Sequence, residues 1–144
     1  MKIYNIKTKN TQDEIDKIIM KMSVPELDFI TNLYSKISMV EYTDEIGFEC
    51  MFVILDDYYL SKIKDCYKSY NLIFEVFDIT KIVVFDENIK IRYKNYFGQS
   101  RQLEIASLFK KYKNNWITKD DVLDKILEKG INSLTDFDLD VLNS

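Results

Sequence analysis

The chain has 144 residues, with 24 Asp plus Glu against 20 Lys plus Arg, no histidine, 3 Gly, 1 Pro and 2 Cys. That length suits one domain, and a 47% hydrophobic content is too apolar for a disordered chain. Without histidine there is no Ser-His or Cys-His nucleophile pair and no His-ligated metal site, and Gly47, Gly98 and Gly130 are too far apart for a phosphate-cradling glycine loop.

Met1 to Lys7 alternates apolar and polar residues and reads as a strand, where a signal peptide needs a continuous apolar run. The apolar run Met51 to Leu55 is far short of the roughly 20 residues that a membrane-spanning helix requires. The expectation is therefore a cytoplasmic chain with no membrane partner, in which Cys50 and Cys66 are reduced, buried small hydrophobes. Thr11 and Glu14 have capping-box spacing, and Ile15, Ile18, Ile19 and Met22 then recur at helical intervals. Ser23-Val24-Pro25-Glu26 starts a second helix with the stripe Leu27, Ile30, Leu33, Tyr34 and Ile37. Residues 39–43 and 48–55 read as a hairpin turning at Asp44 to Gly47, and its second strand, apolar on both faces, belongs in the middle of a sheet.

Asp56 or Asp57 caps a helix carrying Leu60, Ile63, Tyr67 and Tyr70, and residues 72–77 return as a strand. The β-branched run at 81–85 reads as a further strand, although Asp78-Ile79-Thr80 could also open a helical turn, and 88–97 fits both strand and helix, with strand preferred. Residues 101–115 form a helix with Ile105, Leu108, Phe109 and Tyr112 on one face. Two short helices close the chain, one capped by Thr118 and ending at Gly130 in the manner of a Schellman motif, the other capped by Thr135. Residues 1–115 are thus expected to form an α+β body, with helices on one face of a mainly antiparallel, ferredoxin-like sheet, and 116–144 a two-helix tail.

Within the tail, Val122-Leu123-Asp124-Lys125-Ile126-Leu127, Gly130 and Ser133-Leu134-Thr135 resemble the short I-L-D-K-I-x-x-x-G-x-x-S-L-T helix-turn-helix tail that ends many bacterial proteins, including rhomboid-family membrane proteins. The resemblance covers about a fifth of the chain and implies a small docking element without catalytic residues. Beyond Thr135 this chain is more apolar than that pattern, through Phe137, Leu139, Val141 and Leu142.

Charge is unevenly spread. Residues 1–88 carry 10 basic and 16 acidic side chains, 89–113 carry 7 and 1, and 114–144 carry 3 and 7. In the basic segment Lys90, Arg92, Lys94, Arg101, Lys110, Lys111 and Lys113 alternate with Tyr93, Tyr96, Phe97, Phe109 and Tyr112, a mixture able to pair phosphates and stack bases. Against it stands an acidic whole chain, and a solvated face whose aromatics point inward explains the same pattern. The carboxylate pairs Asp44-Glu45, Asp56-Asp57, Asp86-Glu87 and Asp120-Asp121 sit at turns or helix starts, where capping accounts for them. Tyr58, Tyr59, Tyr67 and Tyr70 form a tyrosine set suited to a partner surface. The sequence therefore points to a non-catalytic protein-binding module, an acidic inhibitor or immunity-type protein being its narrower form, with no cofactor or metal. Nucleic-acid binding through 90–113 is the alternative.

Overall fold

The alternating N-terminal residues form the strand on which the rest of the sheet is built. The computed structural model describes residues 1–85 and 99–144. β1 (Lys2–Thr11) is followed by α1 (Gln12–Ile19) and α2 (Val24–Ser35), the hairpin strands β2 (Ser38–Thr43) and β3 (Phe48–Leu55), α3 (Asp57–Ser69) and β4 (Phe74–Asp78). Then come α4 (Thr80–Phe85), α5 (Gln99–Trp116), α6 (Lys119–Lys129), a 3-10 turn at Ile131–Ser133 and α7 (Asp136–Asn143). No helix among the described residues is long and apolar enough to cross a membrane.

The sheet order is β2-β3-β1-β4 with every pairing antiparallel. With α1 and α2 filling the first helical slot and α3 the second, Lys2 to Asp78 has the connectivity and strand order of the ferredoxin-like split β-α-β arrangement. β3 is central, as its two-sided apolar pattern requires. Helices cover both faces of the sheet, where one covered face was expected. Tyr4, Ile6, Met51, Val53 and Leu55 pack beneath α2 and α3. Ile3, Val40, Cys50, Phe52 and Ile54 pack on the other side against α4 and α5. There Phe109 meets Phe52 edge to face at 5.4 Å, and the Tyr112 hydroxyl donates to the Met1 carbonyl at 3.3 Å.

The helix starts follow their local chemistry. The Thr11 N–H donates to Glu14 Oε2 (2.8 Å), the Ser23 N–H to Glu26 Oε2 (2.7 Å), and Asp56 Oδ1 accepts from the Tyr59 N–H (2.9 Å). In the hairpin turn Asp44 Oδ1 accepts from the N–H groups of Ile46, Gly47 and Phe48 at 2.9–3.0 Å, and Gly47 has φ +98°. Such a φ favours a residue without Cβ.

Residues 81–85 are helical, not a strand. Ile79 N–H closes the ladder on the Ile3 carbonyl, and Asp78 Oδ1 accepts from the Thr80 N–H, which turns the chain. Turning it puts Val83 and Val84 against the sheet, so burial overrides their β propensity. The 88–97 assignment lies outside the described residues. Gly130 also departs from expectation: it has φ +80° and ψ 163°, an extended left-handed geometry instead of the αL geometry of a Schellman ending.

The tail packs on the body. Trp116 and Ile117 lie against the α4–α5 core, Val122 is fully buried, Lys81 and Glu128 approach to 3.0 Å, and Lys129 Nζ donates to the Phe85 carbonyl. Within the tail, Lys125 Nζ lies 2.6 Å from Asp138 Oδ2, with both side chains 3% exposed. The same oxygen accepts from the Thr135 N–H and hydroxyl at 2.9 Å. Burial alone would raise the Asp138 carboxyl, but the hydrogen bonds from Lys125 and Thr135 outweigh it and hold the group below the ordinary carboxylate value.

Candidate functional site

The four tyrosines of α3 and its end do not form one surface. Tyr58 is 63% exposed, whereas Tyr67 is 8% exposed and sits in the core, edge to face with Phe74 at 5.3 Å. Tyr59 packs partly against the same core, and the Tyr70 hydroxyl donates to Glu26 Oε1 at 2.9 Å. The helical period separates these positions: Tyr67 lies one turn beyond the buried Ile63, and Tyr58 falls on the opposite side.

The basic segment is likewise divided. Phe109 and Tyr112 are buried in the α4–α5 core, so neither can stack a base. Arg101 pairs with Glu104 at 2.6 Å and Lys111 Nζ donates to Ser38 Oγ at 2.7 Å. Lys110 is exposed, Lys113 is half-buried, and Lys90, Arg92 and Lys94 lie outside the described residues. The carboxylate pairs that are described stand where capping places them, and Asp86-Glu87 is outside that set. Among the described residues no three His, Cys, Asp or Glu side chains gather as a metal site requires. Burial raises both thiols, Cys50 in the core and Cys66 half-buried, which leaves them poor nucleophiles.

What stands out instead is α1. It is strongly amphipathic, yet none of its residues is buried. Its stripe of Ile15, Ile18, Ile19 and Met22 roofs a cleft of about 290 Å³ over the sheet. Ile6 of β1 and Met51 of β3 line the same space, with Ile30 and Tyr34 from α2 and Cys66, Tyr67 and Leu72 from α3 and the turn beyond it. The Tyr34 and Tyr67 hydroxyls are 3.2 Å apart. Burial pushes both phenols up, Tyr34 to about 12, and the neighbouring Tyr34 raises Tyr67 further. Glu41 of β2 and Glu49 of β3 also line the cleft, on the sheet face that carries Met51. Glu49 accepts from the Thr43 hydroxyl at 2.9 Å. Among the described residues no lysine or arginine lines this space.

Beside the cleft, the α1–α2 corner exposes large apolar side chains at high density. Met20 is 84%, Val24 70% and Phe29 54% exposed, and Ile19 is also exposed. Sequence periodicity finds the α1 stripe but not the gap beneath it, which is set by how α2 and α3 pack. In comparisons with protein-family models, curated proteins and solved structures, nothing matches this chain.

Proposed function

We propose that this chain is a non-catalytic protein-interaction module that presents its α1–α2 corner to a basic partner, in the manner of an acidic inhibitor or immunity-type protein. The observation that carries the reading is the exposure of Ile19, Met20, Val24 and Phe29 within eleven consecutive residues, on helices that contribute only Leu33 to the buried core. Apolar side chains gathered at a polar surface are what an interface core is made of. The surrounding charge favours a basic partner. Residues 12–35 carry five acidic and two basic side chains, and an acidic rim speeds encounter with a basic protein. The tail's resemblance to a short helix-turn-helix tail, which implies a docking or interaction element, supports the same class of function.

The test is affinity capture from the native host with the full chain and with a Val24→Asp, Phe29→Asp variant. The expected result is a basic protein retained by the parent chain and lost from the variant, with the circular dichroism spectrum unchanged. Recovery of nucleic acid alone, equally by both forms, overturns this reading in favour of nucleic-acid binding through 90–113.

A further inference from the structure

We infer that the cleft beneath α1 is a binding site for a small organic cation with an apolar body, such as an arylalkylamine. Three observations carry this. The first is size: about 290 Å³ is close to twice the roughly 150 Å³ of an apolar cavity that holds benzene, so a ring with a short chain fits. The second is lining. The aliphatic side chains of Ile6, Ile15, Ile18, Met22, Ile30 and Met51 would hold the body of such a ligand. Tyr34, Tyr67 and Tyr70 line the same space, and aromatic rings attract organic cations.

The third observation is charge. Glu41 is exposed and Glu49 half-buried, so the polar side of the cleft is the side open to water. Among the described residues neither carboxylate has a lysine or arginine partner, so both are open to a cation. An ammonium group supplies the missing counter-charge and donates hydrogen bonds to either carboxylate. A carboxylate ligand would meet two like charges in the same place. A neutral alcohol would gain the apolar contacts alone.

The site adjoins the protein-docking corner and shares Ile19 with it, but Val24 and Phe29, the positions of the docking variant, do not line it, nor does Met20. Its test is therefore independent. The full chain is titrated calorimetrically, and followed by amide chemical shifts, with 3-phenylpropylamine, 3-phenylpropanol and 3-phenylpropanoate, which differ mainly in the head group. The amine is expected to bind saturably at one site with shifts centred on α1, Glu41 and Glu49, the alcohol at least about tenfold more weakly, and the acid not at all. Glu41→Gln with Glu49→Gln is expected to bring the amine down to the alcohol's affinity. Ile15→Trp, on a helix with no buried residue, fills the cleft and is expected to abolish binding of both. The proposal is overturned if the acid binds as well as the amine, if amine binding survives Ile15→Trp in a folded protein, or if no probe binds saturably. Val24→Asp leaves amine binding unchanged whatever its effect on protein capture.

Discussion

Lys125 and Asp138 show how much one pair of side chains can decide. Each is a charge almost removed from water, and Asp138 Oδ2 collects three donors. Removing one partner leaves the other buried and unpaired, so Lys125→Ala is expected to cost about 3–5 kcal/mol of tail stability. Lys125→Met combined with Asp138→Leu is expected to cost much less, and urea unfolding of the singles and the double variant measures the difference. Acid acts on the same group. Because the folded Asp138 carboxyl lies below its unfolded value of about 3.9, its contribution is complete above that pH and disappears as the pH falls through the lower folded value. Thermal melts taken from about pH 6 to about pH 2 should show a loss that Asp138→Asn lacks. At the hairpin, Gly47→Ala meets no atom within 4 Å, but φ +98° is strained for any side chain. The expected cost is about 1–2 kcal/mol, measured in the same urea series.

Among the helices, α1 and α3 make the sharpest contrast. Both follow capped starts and apolar stripes, but α3 buries Leu60, Ile63 and Tyr67 while α1 buries nothing. Ile63→Ala should therefore cost about 2–5 kcal/mol, and Ile18→Ala no more than about 1 kcal/mol, as chemical denaturation will show. Periodicity cannot separate the two, because it reports which residues share a face and not how closely that face approaches its neighbour. Elements carrying their own chemistry were legible: the Thr11–Glu14 box, the Asp44–Gly47 turn, the Ile105, Leu108, Phe109 and Tyr112 stripe and the Thr135–Asp138 box all stand as the residues indicate. Val83 and Val84 misled, since their β preference yields to the burial that a helical turn allows. Tyr67 and Tyr58 are alike by composition and opposite in exposure. The cleft was the least legible feature, because Glu41, Glu49, Ile6 and Ile18 come from four elements and meet only in the folded chain.

Across the whole molecule, two layers of helix enclose the sheet, and α4 joins the second of them to the tail. The contacts at that junction differ in kind. Lys81 and Glu128 form an exposed pair that water and salt weaken, whereas Val122 is fully buried. Glu128→Gln is expected to leave the melting temperature unchanged, and Val122→Ala to cost about 2 kcal/mol. The sole tryptophan, Trp116, ends α5 and packs with Ile117 against the core beside that junction, so a change in its emission is the expected signal when the tail separates from the body.

The position of β1 has a consequence for how the molecule comes into being. The first strand of this sheet along the chain lies in its interior, and both its neighbours come much later in sequence: Tyr4 pairs with Val53 on one side and with Asp78 on the other. Until residue 78 exists, one edge of β1 lacks its partner, and closing these pairings means joining segments distant along the chain. Assembly of the sheet cannot advance strand by strand from the N-terminus. The last pairing waits for β4, so a nascent chain halted before Phe74 should expose the edge of β1 that β4 covers, an edge that invites association with other chains.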